Sequence, residues 1–169
     1  MLLREGRIVE IGEGEAPSFP ASVEIIQADG RVVMPAFVDC HTHSCFCGDR
    51  SDEFEARLAG VDYLEILAAG GGIMSTVRSV RESPETTLVD SLLRRLRRMS
   101  RLGSGTVEVK SGYGLDPASE LKMLRAIQIA GERTSQIVVP TFLGAHALDA
   151  DATDPEAAVR GIIDEALPE

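Results

Sequence analysis

Two histidines one residue apart, His41 and His43, are the residues in this sequence best placed to do chemistry. They follow an apolar run, Met34-Pro35-Ala36-Phe37-Val38, that reads as a buried strand. Side chains two apart on a strand share a face, so both imidazoles can grip one metal ion. The C-terminal end of a strand is also where α/β barrels keep their active sites. The chain's three cysteines, Cys40, Cys45 and Cys47, lie close by. Together with the histidines they open a second reading, a small non-catalytic Cys/His zinc-binding module. Spacing argues against it, because the paired C-x2-C knuckle is missing and Cys40 alternates away from the histidine face. An odd, crowded cysteine set is a poor disulfide framework and fits a reducing, cytoplasmic compartment.

The elements that must position these residues follow from periodicity. Residues 7–11, 23–27 and 31–34 read as short strands, broken by Gly6, residues 12–20 and Asp29-Gly30. Residues 1–35 are therefore expected to be a separate region of short strands, too few to form a stable sheet without partners. From residue 36 to 169 the pattern changes. A strand is expected over 37–43, two short helical pieces over 53–67, and Gly70-Gly71-Gly72 as their end. A long helix follows over 83–102, with Ser83 as N-cap and Pro84 at its first position. Then come a strand over 106–110, a helix over 116–131, a strand over 137–142 and a helix over 154–167. Nearly apolar strands alternating with helices predict a parallel sheet under helical cover. The fold class is α/β, with about three β/α units of a TIM-like barrel. A complete barrel needs about 250 residues, and the chain has 169.

Composition narrows the partners. The formal charge is −10, from 27 acidic and 17 basic residues, which excludes a basic face for nucleic acid. A small anionic substrate would need a locally placed cation. The cluster Arg94, Arg95, Arg97, Arg98 and Arg101 reads as the solvated face of a helix rather than an anion site. No apolar run approaches the roughly 20 residues of a membrane span, and the first residues lack a signal-peptide core.

The string Pro35-Ala36-Phe37-Val38-Asp39-Cys40-His41-Thr42-His43 resembles the metal-binding opening of the amidohydrolase superfamily. Ala36 stands where that superfamily often has glycine. Three further strings narrow the resemblance: Tyr63-Leu64-Glu65-Ile66-Leu67-Ala68-Ala69-Gly70-Gly71-Gly72-Ile73; Glu108-Val109-Lys110-Ser111-Gly112-Tyr113-Gly114-Leu115, with Glu120-Leu121-Lys122-Met123-Leu124-Arg125 after it; and Pro140-Thr141-Phe142-Leu143-Gly144-Ala145-His146-Ala147. Together they resemble the imidazolonepropionase family from residue 31 onward. That resemblance implies a barrel beside a small β-sandwich and one zinc or iron ion. It also implies hydrolysis of 4-imidazolone-5-propanoate to N-formimidoyl-L-glutamate in histidine breakdown, by a cytoplasmic homodimer.

The resemblance makes His41 and His43 the first two metal ligands, Arg50 the holder of the substrate's propionate, and Tyr113 and His146 walls of the substrate pocket, with Tyr63 a weaker candidate for the same wall. Elementary chemistry agrees. A planar guanidinium binds a carboxylate through two parallel hydrogen bonds. Arg50 follows His43 by seven residues, within reach of the metal, although pairing with Asp49 or Asp52 is the plainer alternative. Glycines on both sides of Tyr113 allow a tight loop, and small residues before His146 leave room for a ligand. Lys110 reads as a structural lysine and not as a metal bridge.

A catalytic metal usually has at least three protein ligands, and all three histidines of the chain are already placed. The general base and the remaining ligands are therefore expected beyond residue 169. The chain alone is expected to be inactive and prone to aggregate, because an open half-barrel exposes a bare strand edge. A different amidohydrolase activity, as a cyclic amidohydrolase or a deaminase, is the alternative within the same superfamily.

Overall fold

The computed structural model describes residues 1–14, 17–149 and 154–169. The chain divides into two compact units, Met1–Met34 and Pro35–Glu169.

In the first unit, strands β1 (Leu2–Arg4) and β2 (Arg7–Glu10) form an antiparallel hairpin. Its turn is Glu5-Gly6, with φ of 50° and 73°. A two-residue hairpin turn with positive φ at both positions matches the natural twist of the strands. Strand β1 was not expected from sequence. The expected strands over 23–27 and 31–34 do not form, and among the described residues the hairpin is the whole sheet of this unit. Ile26 and Val32 are 78% and 85% exposed, so an alternating pattern there has no surface to pack on.

The second unit is mixed α/β. Strand β3 (Phe37–Asp39), β4 (Ser104–Lys110) and β5 (Ile137–Thr141) make a parallel sheet in the order β3-β4-β5. Helices α1 (Ser51–Leu58), α2 (Tyr63–Ala68), α3 (Ile73–Glu82) and α4 (Glu85–Arg101) lie between β3 and β4. Helix α5 (Pro117–Glu132) joins β4 to β5, and α6 (Pro155–Gly161) runs into a π-helical turn, Ile162–Ala166. The helix expected over 154–167 thus continues past Gly161, with its last turn π-helical. No helix among the described residues is long and apolar enough to cross a membrane.

The core forms where one face of β4 meets the helices. Val107 and Val109, two apart on the strand, are fully buried against Leu88, Leu92 and Leu96 of α4 and Met123, Ala126, Ile127 and Ala130 of α5. Each fully buried leucine or valine contributes about 1.5–3 kcal/mol relative to exposure. Asp116 caps α5 by accepting from Ser119 N–H at 2.8 Å, with Pro117 at the first position.

Three expectations are corrected. Helix α3 has no counterpart among the expected elements, although Val77 and Val80 carry helical spacing. Ser83 is not the N-cap of α4. Pro84 takes that place, and Ser83 ends α3 with its N–H on the Ser79 carbonyl at 3.1 Å. Strand β3 stops at Asp39 rather than His43. It has a neighbour on one side only, and its register with β4 shifts between Phe37 and Val38, so the ladder thins early.

Candidate active site

His41 and His43 leave β3, Tyr113 leaves β4, and His146 leaves β5; all four emerge at the same end of the parallel sheet. Ring centroids lie 5.4 Å apart for His41 and His43, 4.7 Å for His43 and His146, 5.5 Å for His43 and Tyr113, and 5.9 Å for Tyr113 and His146. His43 is the hub.

Thr42 explains why the two imidazoles share a side. Its hydroxyl donates to the Glu108 carbonyl at 2.7 Å, its N–H donates to the Glu108 carboxylate at 3.2 Å, and its carbonyl accepts from Lys110 N–H at 2.9 Å. With Thr42 bound to β4 in this way, the residues on either side must point elsewhere. Lys110 is ion-paired to Glu108, which fits its reading as a structural lysine. Burial would raise the Glu108 carboxyl, but bonds from Lys110, Thr141 and Thr42 outweigh that and hold it below its ordinary value.

His43 is held below the usual histidine pKa, first by burial and then by His146, His41 and Lys110. Its Nδ1 is buried and has no hydrogen-bond partner. A neutral imidazole with an unengaged ring nitrogen beside a second imidazole has the donor chemistry of a zinc or iron ligand. Among the described residues no group of three or more His, Cys, Asp or Glu side chains is placed to hold a metal, so the pair provides two donors.

The cysteines do not join them. Cys40 is exposed, whereas Cys45 and Cys47 belong to the hydrophobic core. Burial, with Cys47 adding to it, pushes the Cys45 thiol up to about 12. Cys45 and Cys47 thus pack among apolar side chains, and among the described residues no cysteine belongs to a metal-holding group.

Arg50 precedes α1 and shares a cavity of about 320 Å³ with Phe46, Gly48, Asp49, Thr76 and Tyr113. Its Nε and Nη2 both donate to Glu53 Oε2, at 2.8 and 2.6 Å. Glu53 Oε1 accepts from Gly72 N–H at 3.1 Å. The partner is therefore Glu53, not Asp49 or Asp52; Asp49 instead accepts from the N–H of Ser51 at 3.1 Å. Tyr63 opens α2, is 53% exposed, and belongs neither to the ring cluster nor to this cavity. A larger groove, about 800 Å³ between α5, β5 and the π-helical turn, touches none of the three histidines. The smaller cavity is the one beside the chemistry.

Three contributors were not legible in the sequence. Thr76 lines the cavity from the unexpected α3. Glu120, fully buried on α5, holds the loop of Tyr113. Arg95 was read as solvated, yet it lies 3.4 Å over the Phe46 ring and donates to the Ser44 and Phe46 carbonyls at 3.0 and 2.8 Å. Gly112 does show its reason: at φ 107°, a Cβ there would lie 3.1 Å from His146 Cβ, so only glycine lets the two loops close up.

No family model matches the chain. Curated relatives do. It is 51% identical over 166 residues to the imidazolonepropionase of Methylobacterium nodulans, covering 98% of this chain and 41% of the relative. The imidazolonepropionase of Herpetosiphon aurantiacus is 46% identical over 167 residues, 98% of this chain and 39% of the relative. That of Haloarcula marismortui is 52% identical over 143 residues, 85% of this chain and 34% of the relative. The chain thus spans about two fifths of the length of the curated relatives it matches. Across that span it belongs to the imidazolonepropionase family.

Proposed function

We propose that this chain is part of a metal-dependent, cytoplasmic hydrolase that adds water across a ring C–N bond of 4-imidazolone-5-propanoate, yielding N-formimidoyl-L-glutamate. The observation that carries this reading is the convergence of His41, His43, Tyr113 and His146 at one sheet end, with Arg50 and Tyr113 lining one cavity. The parallel strands and their helices are read as the first units of a TIM-like barrel. His41 and His43 would hold the metal, and the unengaged Nδ1 of His43 supports that assignment. A bound zinc or iron ion supplies Lewis-acid activation of water near neutral pH. Arg50 binds the propionate, and Tyr113 and His146 bracket the ring, while Tyr63, outside the cavity, is not given a role. Glu53 takes the Nε–Nη2 side of the guanidinium, which leaves its other edge for a ligand carboxylate.

The test splices this segment to the remaining length of the Methylobacterium nodulans relative and follows metal-dependent loss of 4-imidazolone-5-propanoate. Turnover is expected in the spliced protein and absent from its His43→Ala variant. The segment alone, with two donors, is expected to bind the metal weakly or not at all and to show no turnover. Hydrolysis that survives His43→Ala overturns the proposal.

A further inference from the structure

Glu120 is 1% exposed and, among the described residues, has no ion-pair partner. An isolated buried carboxylate is among the least favourable groups in a protein interior unless hydrogen bonds satisfy it. Here backbone amides do so. Oε2 accepts from Gly112 N–H at 2.7 Å, and Oε1 accepts from Gly114 N–H at 2.6 Å and Leu115 N–H at 2.8 Å. Two of these amides flank Tyr113 directly.

The loop needs such a restraint. Gly-Tyr-Gly is among the least ordered of tripeptides when unsupported, because glycine loses the most freedom on folding. Leu115, a non-glycine residue, sits at φ 58° in the left-handed region, a conformation that persists only when its surroundings impose it. A Cβ at Gly114 would lie 2.5 Å from Glu120 N, so loop and helix approach as closely as backbones allow. Helix α5 is a firm base for the clamp, since Met123, Ala126, Ile127 and Ala130 are fully buried in the core.

We infer that Glu120 is a positioning residue, whose two carboxylate oxygens hold the backbone on both sides of Tyr113 and so aim its ring at His43. The inference rests on the reading of Tyr113 as a wall of the substrate pocket, and it concerns how that wall is held. Glu120 acts through Tyr113 and touches no substrate.

The chain has two tyrosines and no tryptophan, so Tyr63→Phe leaves Tyr113 as the one intrinsic fluorophore. In that background, at micromolar concentration, Glu120→Ala and Glu120→Gln are compared by hydrogen exchange and by acrylamide quenching of Tyr113. In Glu120→Ala, exchange at the amides of Gly112, Gly114 and Leu115 should speed up by about tenfold or more, as expected for a lost charge-assisted hydrogen bond. Quenching of Tyr113 should rise with it, while the amides of Ala126 to Ala130 keep their protection. Glu120→Gln should lie between, because its amide keeps one acceptor oxygen and turns an N–H₂ toward the remaining donor. Should Glu120→Ala lose the α5 protection as well, Glu120→Gln carries both readouts. Faster amide exchange with unchanged Tyr113 quenching overturns the inference, as does unchanged exchange. Binding of imidazolepropanoate is measured in parallel. Its failure to bind the unsubstituted chain counts against the proposed substrate and leaves the Tyr113 result standing.

Discussion

The Arg95 guanidinium lies 3.4 Å above the Phe46 ring, and Phe46 in turn meets Tyr113 edge-on, with centroids 6.4 Å apart and planes at 81°. Helix α4 thereby grips the loop that follows the histidine pair and braces one side of the cavity. Arg95→Ala removes the stacking and two charge-assisted bonds to carbonyls. It should cost about 2 kcal/mol in urea unfolding, and Arg95→Lys should recover only part of that, because an ammonium cannot stack and fork at once. An Arg95→Ala chain that unfolds like the parent would mean the loop holds itself.

Metal binding should depend on imidazoles and not on thiols. Equilibrium dialysis of the spliced protein with zinc is expected to lose the bound ion in His41→Ala and in His43→Ala, and to keep it in Cys45→Ala and Cys47→Ala. Loss of zinc on replacing either buried cysteine would bring back the thiolate module that burial of Cys45 and Cys47 argues against.

The Cys45 thiol is raised by burial to about 12, from an ordinary 9.0. The folded state therefore keeps the proton that the unfolded chain gives up. The stability this contributes is complete below pH 9.0 and is lost as pH rises toward about 12. Stability measured from pH 8 upward should fall less steeply in Cys45→Ala than in the parent. Ellman's reagent at pH 8 should label Cys40 quickly and the two buried thiols only after unfolding; three equally fast thiols would contradict the packing.

Glu53 ties Arg50 to the Gly72 turn and should orient the guanidinium. Affinity for imidazolepropanoate is expected to exceed that for its neutral amide in the parent chain. Arg50→Ala should erase that preference, and Glu53→Gln should weaken it on the order of tenfold, the scale of one charge-assisted bond. A stronger preference in Glu53→Gln would show that Glu53 competes with the ligand instead of orienting its partner.

Among the described residues neither β3 nor β5 has a strand on its outer side, and Ile137 and Val139 on β5 are 65% and 45% exposed. Such an edge templates association. Sedimentation velocity should show the chain self-associating as concentration rises, and Val139→Lys should reduce it. A monomer at all concentrations would show that the edge is protected.

Much of this protein was determined by sequence alone. The spacing of His41 and His43, the Asp116-Pro117 and Asp154-Pro155 helix starts and the β-branched run of β4 are local signals, set by backbone periodicity and capping, so they can be read without knowing what packs where. The apolar strings also carried the family, because they run unbroken through the strand ends that bear the polar residues. Tertiary structure decided the rest. Whether Val23 to Gln27 pairs as a strand depends on a partner, not on its own residues. Arg95 and Glu120 look like ordinary charged helix residues until β3 and β4 bring Phe46 and the Gly112 loop against them. Their roles come from contacts between residues 49 or more apart for Arg95 and as few as five apart for Glu120. In both cases burial turns a charge that water would otherwise satisfy into one that must find backbone partners, and only the folded chain says which.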